Sequence, residues 1–370
     1  MFSPIRSVAV IICAYTEGRW DDTLSAHDSL IAQSVPVDEI VLVVDYNPEL
    51  LARLAETLPH TRIIPNRYEQ GLSGARNTGI AATTSDVIVF LDDDATAHPE
   101  WVHHMTTPLG DPSVVGVGGW AVPRWDNPGR PTWFPEAFLW VVGCSYEGQS
   151  KSPGDIRNPL GCAMALRRTA LASTAGFSDG IGRVGTKPLG CEETELAIRV
   201  ARANPGTRMV GAPEAIVHHR VTGSRLTVRY FLSRCYWEGV SKAVVTSLVG
   251  AEAALASERT YVTKVLPRAF FREIGRGLRG QGSSFGIALA VAAGLCVTST
   301  GYLRGRRIVT RTDASAHQPS AAAPSGKADV SSEQNPLGRP RTAYWDADLD
   351  ANVETVDSGP TPLPLPARRS

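Results

Sequence analysis

Alternation of apolar and helical segments through residues 1–115 restricts the fold of this chain more than any other feature. Three of the apolar segments, SVAVIICAY, DEIVLVVDY and DVIVFLDDD, carry no charged side chain on either face of their central stretch. Strands of this kind are buried on both faces, as happens when helices cover both sides of a parallel sheet. We therefore predict an α/β fold in which helices flank a mostly parallel sheet.

Polar residues follow these strands at the points where the strands end. Tyr15 and Glu17 follow the apolar part of the first quoted segment, and Asp45 follows that of the second. Asp92 to Asp94 end the third quoted segment. Ligands of such sheets bind beyond the carboxyl ends of the strands. We expect these residues to line one rim of the sheet.

The three consecutive aspartates Asp92, Asp93 and Asp94 repel one another unless a cation lies between them. Mg²⁺ and Mn²⁺ take oxygen ligands, and Mg²⁺ sites commonly combine one or two carboxylates with substrate phosphates. On an extended segment Asp92 and Asp94 project to one side and Asp93 projects to the other. The pattern favours Asp92 and Asp94 as metal ligands. The alternative, a solvated turn with one aspartate capping the next helix, stays open at this point.

Composition narrows the classes of function. The chain of 370 residues has a formal net charge of zero, so we expect no nucleic-acid partner. Its six cysteines are scattered without a CxxC pair, which argues against a zinc site and a disulfide framework. The first apolar run is short and Glu17 follows it, so we expect no secretory signal and a cytoplasmic location.

The C-terminal third differs in character from the rest. Residues 226–310 have the periodicity of helices. Within them, the stretch 283–302 is weakly apolar, and its apolar centre would extend only about 20 Å as a helix. That length is less than the roughly 30 Å thickness of a bilayer's hydrocarbon core. We expect a peripheral or re-entrant membrane contact, with a packed helix or a single span as alternatives. The Ser/Ala/Pro-rich residues 311–370 are predicted to be disordered.

Four arginines in this third are spaced three to four residues apart, beside apolar residues: Arg268, Arg272, Arg276 and Arg279. This spacing favours a helix that lies on an anionic membrane surface over a helix whose arginines merely face solvent.

Several segments resemble the family 2 glycosyltransferases, whose fold is the Rossmann-like, mixed and mostly parallel GT-A fold. The resemblance covers about residues 5–225 and extends to the order and spacing of the segments. The segments that carry it are VAVIICAYTE, VLVVDYNP, GLSGARNTGI, VIVFLDDDA, GCEETELAIR and AIVHH. The stretches CAYTEGRWDD and VVDYNPELL are also similar to dolichyl-linked-glucose glucuronosyltransferases. The expected organisation is a GT-A domain over 1–225 (a nucleotide-binding half, 1–115, and an acceptor half, 116–225), a helical membrane-associating region over 226–310, and the tail.

The resemblance implies a site for the donor, a nucleotide-diphosphate sugar with uridine as the expected nucleoside. It implies that Asp92 and Asp94 hold Mn²⁺ or Mg²⁺ on the diphosphate. Of the adjacent histidines His218 and His219, which point to opposite faces of a strand, we favour His219 as the third member of the metal shell, with ordinary surface histidines as the alternative. The residues implied to contact the nucleotide are Ala14, Tyr15, Glu17, Asp45, Gly74, Arg76, Asn77, Asp92 and Asp93.

The acidic pair Glu192 and Glu193 corresponds to the position that supplies the catalytic base in this family. The family commonly has Glu-Asp here, so the second carboxylate of this chain is one methylene longer. We assign the base to Glu193, with Glu192 as the second candidate. Such a base deprotonates an acceptor hydroxyl during inverting transfer and contributes roughly 10²–10⁴-fold to the rate. Without the resemblance, both residues would read as first-turn acids favoured by the helix dipole, worth about 0.3–1 kcal/mol each.

Residues of the acceptor half complete the expected site. Gly161 and Cys162 resemble the segment beneath the donor sugar, and Trp120 and Trp125 form either an acceptor platform or part of the core. The glycine-rich segment 176–190 is predicted to be a mobile lid over the donor. The expected acceptor is a glycan or a polyprenyl-linked glycan, used at the inner face of the cell membrane.

Three other functions remain as alternatives. Transfer onto a polyprenyl phosphate would need no base, because that acceptor is already an anion. A sugar-nucleotide-forming nucleotidyltransferase would want a basic glycine-rich loop near its N-terminus, and ICAYTEGRWDD is not such a loop. A non-catalytic, nucleotide-binding protein at the membrane surface would have no use for acids at both the metal and the base positions.

Overall fold

A computed structural model of the chain describes residues 5–179, 181–183 and 189–316. The described residues form a nine-stranded mixed sheet flanked by helices, as the sequence predicts. The strands are β1 (Val8–Ala14), β2 (Glu39–Val44), β3 (Arg62–Pro65), β4 (Val87–Asp92), β5 (Ala95–Ala97), β6 (Val114–Trp125), β7 (Gly154–Ile156), β8 (Ala163–Arg167) and β9 (Arg208–Val221).

The sheet changes direction in its middle. Its order is β3-β2-β1-β4-β8-β6-β9-β5, and β7 pairs with β9. The first four strands in this order are mutually parallel. β8 runs antiparallel to both β4 and β6, whereas β6 and β9 are parallel to each other. The N-terminal half is therefore the regular parallel layer, and the second half makes the sheet mixed.

The helices cover both faces of the sheet and continue beyond it. A π-helical turn, Tyr261–Val265, joins α9 to α10, and short 3₁₀ turns occupy Glu17–Arg19, Thr107–Gly110, Glu136–Val142 and Gly223–Leu226. The α-helices are α1 (Trp20–Ile31), α2 (Pro48–Thr57), α3 (Leu72–Ala82), α4 (Trp101–Thr106), α5 (Arg168–Ala172), α6 (Glu192–Ala203), α7 (Val228–Val249), α8 (Ala251–Ala254), α9 (Ala256–Thr260), α10 (Leu266–Leu278) and α11 (Ser283–Ala316).

The apolar strands are buried on both faces, which explains why they have no alternating polar pattern. Val10 and Ile12 of β1 pack into a cluster that includes residues of α1, α2 and α4. Ile11, between them, packs into a second cluster with residues of α3, α5 and α6. Each fully buried aliphatic side chain of this kind contributes roughly 1.5–3 kcal/mol of hydrophobic stabilisation.

Helices α7 and α11 pack against each other through glycines. A Cβ atom at Gly239 would lie 2.0 Å from the carbonyl oxygen of Thr298, and one at Gly301 would lie 2.0 Å from that of Tyr236. The two main chains can approach this closely only because both positions lack a side chain. Most of the predicted disordered tail, residues 317–370, lies outside the described residues.

Helix α11 contains an apolar stretch of membrane-spanning length. Residues Ser283–Val309, 27 in number, are long enough and apolar enough to cross a bilayer, and about a fifth of this stretch (22%) is buried. The core helices of soluble proteins pass the same test of length and composition, so a span does not follow from it.

Candidate active site

A cleft of about 1090 Å³ opens at the carboxyl ends of β1, β2 and β4. The strand register brings these ends together, because Cys13 of β1 pairs with Asp92 of β4 and Ala14 pairs with Val44 of β2. The opposite wall is formed by the start of α6 and by parts of α7 and α11. The cleft therefore extends from the rim of the sheet to the C-terminal helices.

Asp92, Asp94 and His219 form a group that suits a metal ion. One ligand atom from each of the three residues lies within 4.8 Å of the others. Asp92 ends β4, Asp94 lies in the turn between β4 and β5, and His219 on β9 pairs with Ala95 of β5. His218, one residue earlier on β9, is exposed. The alternation expected of a strand thus places His219 inward and His218 outward, as the sequence predicts.

Asp94 is surrounded by cations. Its Oδ1 lies 3.2 Å from Nε2 of His219, and its Oδ2 lies 3.2 Å from Arg19 and 3.1 Å from Arg225. Burial would raise the pKa of Asp94, but these three neighbours outweigh it and hold that pKa well below its usual range. The same contact raises the pKa of His219 to about 10, despite the burial that opposes it. Asp94 therefore keeps its negative charge throughout the neutral range.

Asp93, between the two ligand candidates, is paired with Arg19. Nη1 of Arg19 lies 2.5 Å from Oδ1 of Asp93. Burial and the charges of Asp94 and Asp92 raise the pKa of Asp93 to about 6, although Arg19 opposes the shift. Its second oxygen, Oδ2, is buried and has no hydrogen-bond partner within the part of the chain that the structure describes. That oxygen is available to a ligand.

Arg76 connects the metal group to the acids of α6. The residue is 2% exposed. Nη1 donates to Oε1 of Glu192 at 2.9 Å, and Nη2 donates to Asp92 at 3.3 Å and to the carbonyl oxygen of Gly161 at 3.1 Å. A Cβ at position 161 would lie 2.7 Å from Nη2, so this close approach requires a glycine. Arg76 fixes the relative positions of the two acidic groups.

Glu193 differs from Glu192 in its electrostatic surroundings. It is half-buried at the first turn of α6 and lines the cleft. Among the described residues its carboxylate forms no ion pair, whereas Glu192 is paired with Arg76. Burial, and then the neighbouring charge of Glu192, raise the pKa of Glu193 to about 8. This carboxyl group can gain and lose a proton near neutral pH.

Asp45, Ala14 and Tyr15 line the end of the cleft away from Glu193. Asp45 accepts hydrogen bonds from the Asn66 side chain at 2.7 Å and from the Gly71 amide at 2.9 Å. Burial raises its pKa, and the two hydrogen bonds oppose that shift. The orientation of this carboxylate is therefore fixed before any ligand arrives.

Four of the residues implied by the resemblance lie outside the lining of the cleft. Glu17 is exposed on the first 3₁₀ turn. At Gly74, helix α3 passes so close to the carbonyl oxygen of Glu69 that a side chain would not fit. Asn77 is buried and exchanges two hydrogen bonds with the main chain of Phe177, at 2.9 and 2.8 Å. Trp125 packs against Phe134, so of its two readings the structure supports the core. In this structure Gly74, Asn77 and Trp125 pack within the protein, and Glu17 faces solvent.

The remaining acceptor candidates do reach the cleft. Trp120, Gly161 and Cys162 line it, near Arg76 and the metal group. The glycine-rich segment predicted to be a lid cannot be assessed as a whole, because residue 180 and residues 184–188 lie outside the described residues.

Two arginines of the site were missed by sequence reasoning. Arg19 and Arg225 both contact Asp94, although they lie far from it in sequence. Neither belongs to a motif with characteristic spacing, since Arg19 ends a turn and Arg225 lies in a short 3₁₀ segment after β9. In the sequence, only the run of three adjacent aspartates indicated that positively charged partners had to lie nearby.

Comparison with known proteins agrees with this architecture. The model of the family described as "Glycosyl transferase family 2" matches residues 9–174. The chain is 31% identical over 245 residues to a glucosyl-dolichyl phosphate glucuronosyltransferase of Haloferax volcanii, covering 65% of this chain and 78% of that protein. It is 27% identical over 239 residues to the succinoglycan biosynthesis protein ExoM of Rhizobium meliloti, covering 62% and 71%.

A solved structure shares the fold. The mannosyltransferase PcManGT from Pyrobaculum calidifontis, in complex with GDP-Man and Mn²⁺, superposes with a TM-score of 0.51 at 18% identity, covering 81% of this chain and 90% of that one. Together with the curled mixed sheet and the family match, this identifies the architecture as GT-A. The chain belongs to glycosyl transferase family 2 and is a glycosyltransferase.

Proposed function

We propose that this enzyme transfers a sugar, with inversion, from a UDP-sugar to a hydroxyl group of a lipid-linked glycan. The observation that carries the proposal is the placement of two unlike acidic groups in one cleft. One is the group of Asp92, Asp94 and His219, whose ligand atoms converge, and the other is the carboxyl of Glu193, which has no cation partner among the described residues.

Asp92, Asp94 and His219 are the residues that would hold the metal ion. Two carboxylates and an imidazole suit Mn²⁺, whereas Mg²⁺ is served by oxygen ligands, so we favour Mn²⁺ between the two. Among the described residues, Oδ2 of Asp93 and the ring Nδ1 of His219 are further buried atoms without a hydrogen-bond partner. When bound, the ion stabilises negative charge on the departing diphosphate. The Mn²⁺ complex of PcManGT supports this assignment.

Glu193 is the proposed general base. Its raised pKa, about 8, makes the carboxylate a stronger proton acceptor than an ordinary glutamate at the same pH. The acceptor oxygen forms a bond to C1 of the sugar while the bond from C1 to the diphosphate oxygen breaks. The hydroxyl proton moves to Glu193. Attack from the face opposite the leaving group inverts the configuration at C1.

The donor and acceptor are assigned to opposite ends of the cleft. Ala14, Tyr15 and Asp45 lie at the end suited to the nucleoside. Trp120 and Gly161 lie where the transferred sugar would meet the acceptor. The name of the Haloferax volcanii relative includes a glucosyl-dolichyl phosphate, which supports an acceptor sugar carried on a polyprenyl phosphate.

Calorimetric binding of UDP and of GDP tests the donor assignment. The purified protein is titrated with each nucleotide in Mn²⁺, in Mg²⁺ and with chelator. We expect binding that requires the metal and prefers UDP. Tight binding that is indifferent to chelator would contradict the metal assignment, and a preference for GDP would contradict the uridine assignment.

The C-terminal helices are the proposed contact with the inner face of the cell membrane. Phe271 and Leu278 lie seven residues apart on α10 and are 70% and 77% exposed, so they share an outer face of that helix. Leu289 of the adjacent α11 is 70% exposed as well. Exposed arginines such as Arg268 and Arg279 accompany these residues, which suits anionic lipid. The other two arginines of this helix have partners in the protein, since Arg272 pairs with Glu147 and Arg276 with Glu273.

Sedimentation with lipid vesicles tests this contact. We expect the protein to bind vesicles that contain anionic lipid and to bind neutral vesicles more weakly. A Phe271→Glu, Leu278→Glu variant should remain in the supernatant, whereas Arg62→Glu, on an exposed edge strand far from α10, should bind like the wild type. Equal binding by the double variant would contradict the assignment of this face.

A further inference from the structure

Three arginines converge on the cleft from three different elements. Arg183 lies in the described segment 181–183, Arg225 lies in the 3₁₀ turn after β9, and Arg234 lies on α7. All three line the cleft, and Arg225 and Arg234 are each 8% exposed. We refer to Arg183, Arg225 and Arg234 as the arginine group. No motif in the sequence draws attention to them.

The arginine group has more positive charge than its surroundings balance. Within the described part of the chain, the guanidinium of Arg183 makes no hydrogen bond and no ion pair. Burial lowers the pKa of Arg183, Tyr230 opposes that shift, and the charges of Arg225, Arg234 and Arg19 add to it. A buried cation is costly unless an anion is paired with it. Arg234 forms an ion pair with Glu238 at 3.9 Å, and Glu238 also faces Lys242 at 3.5 Å, so the balance of charge is poorest at Arg183.

The acids of the metal group have their own partners. Arg19 holds Asp93 and Asp94, and Arg76 holds Asp92 and Glu192. Arg225 links that group to the arginine group through its contact with Asp94. A metal ion with the donor diphosphate would lie beside the aspartates of the metal group. The charge of Arg183 would then remain unbalanced.

The main chain places the arginine group beside the proposed base. The carbonyl oxygen of Arg183 accepts a hydrogen bond from the amide of Leu72 at 3.0 Å, which anchors this segment to the start of α3. A Cβ at Gly182 would lie 3.5 Å from the carboxyl carbon of Glu192. A Cβ at Gly190 would lie 3.8 Å from Nη2 of Arg234. An anion on the arginine group would therefore be next to the first turn of α6.

The lining of the cleft also includes residues of α7 and α11. Its wall continues along α7 and α11 past Thr298 and Tyr302 to Leu303, which is 60% exposed. A molecule that carries a sugar, then a phosphate, then a hydrocarbon chain would meet Glu193, the arginine group and the C-terminal helices in the same order.

We propose that Arg183, Arg225 and Arg234 bind the phosphoryl group that joins the acceptor sugar to its lipid. This inference rests on the proposed function, because it identifies the anionic part of that acceptor. The donor diphosphate is the other possible source of a phosphoryl group in this cleft, and the two sources make different experimental predictions.

Geranyl phosphate, a soluble prenyl monophosphate, and geraniol, the matching alcohol, serve as probes. Calorimetry measures the binding of each to the full chain, with and without saturating UDP and Mn²⁺. The variants are Arg183→Ala, Arg183→Gln and the control Arg124→Ala, whose side chain is 48% exposed and lies outside the cleft lining. Because Asp22 keeps its contact with Arg220, the control loses an arginine without leaving a buried acid unpaired.

The wild type should bind geranyl phosphate in the presence of UDP and Mn²⁺ and should not bind geraniol measurably. Each Arg183 variant should weaken geranyl phosphate binding roughly ten- to a hundredfold, as expected for a lost charge-assisted hydrogen bond. UDP binding should change by less than about twofold in the same variants. Thermal unfolding should show no loss of stability, because Arg183 has no ion pair to lose among the described residues.

Other outcomes would overturn the proposal. If the Arg183 variants weaken UDP binding instead, the arginine group serves the donor diphosphate. If geraniol binds as tightly as geranyl phosphate, or if neither Arg183 variant changes the binding, no phosphate site exists there. Failure of UDP to bind would contradict the proposed function alone, because the titration without nucleotide still tests the arginine group.

Discussion

The end of β4 and the start of α6 contain acidic residues in the same cleft, yet the two regions shift the pKa of a carboxyl group in opposite directions. Asp94 has His219, Arg19 and Arg225 around it, and its pKa is held well below the usual range. Glu193 has no cation partner among the described residues and stands beside the negative charge of Glu192, so its pKa is raised to about 8. Both side chains are removed from bulk water to a substantial degree.

Burial is therefore not what separates the two roles. Desolvation pushes the pKa of both groups upward, and the number of adjacent cations decides whether the shift survives. A carboxylate that is always charged suits a metal ligand, which must not compete with protons. A carboxyl group that titrates near neutral pH suits a base, which must take up a proton during each turnover.

The largest expected effect comes from removing the titrating carboxyl. Glu193→Gln keeps the size of the side chain and abolishes its basicity, so the turnover rate should fall roughly 10²–10⁴-fold. Metal-dependent UDP binding should be unchanged, because Glu193 is not among the metal group. Turnover is measured as nucleotide released in the presence of the acceptor, with Glu136→Gln, on an exposed 3₁₀ turn, as the control.

Full activity in Glu193→Gln would contradict the assignment of the base. It would favour the alternative in which a polyprenyl phosphate is itself the acceptor, because a phosphate oxygen needs no deprotonation.

The next effect comes from removing the permanently charged carboxylate. Asp94→Asn should weaken Mn²⁺-dependent UDP binding by about a hundredfold or more, since even the loss of a partner that orients a metal ligand costs roughly 10–100-fold. The variant should also unfold at lower temperature. Removing one member of a buried ion pair typically costs about 3–5 kcal/mol, and here three cations lose their shared partner.

Calorimetry and thermal unfolding of Asp94→Asn check both parts. Unchanged UDP binding with lowered stability would reduce Asp94 to a structural role. Unchanged stability would show that its cationic neighbours find other partners.

The smallest expected effect is the response of the wild type to pH. Only the deprotonated form of Glu193 can act as a base, and its raised pKa means that this form grows as pH rises through about 8. Between pH 7 and pH 9 the ratio kcat/KM should increase about tenfold and then level off. The charged groups that act on Glu193 are Glu192, Lys242 and Arg76. A flat profile, or one shared by Glu193→Gln, would contradict this role.

Much of the donor half could be predicted from the sequence. The apolar strands of residues 1–115, the rim that follows them and the inward position of His219 all depend on local periodicity, which a single sequence displays. The metal group could be predicted because Asp92 and Asp94 are neighbours on one strand. The pairing of β8 between β4 and β6, by contrast, depends on contacts distant in sequence, and no local pattern encodes it.

The parts that could not be predicted are those set by single long-range contacts. Arg19 and Arg225 have no signature until the fold brings them to Asp94. Asn77 belongs to a segment that resembles a ligand-binding motif, yet its amide is used to hold the main chain of Phe177. Trp125 could be read either as an acceptor platform or as core, and only its packing against Phe134 decides between them.

The glycine contacts between α7 and α11 have a consequence for how this enzyme can change its acceptor. At Gly239 and Gly301 the spacing of the two helices is set by main-chain atoms, which no choice of rotamer can alter. The wall of the cleft that carries Arg234 and Tyr302 therefore keeps one spacing whatever side chains line it. Substitutions of the lining residues can therefore change the shape of the cleft while the separation of the two helices stays the same.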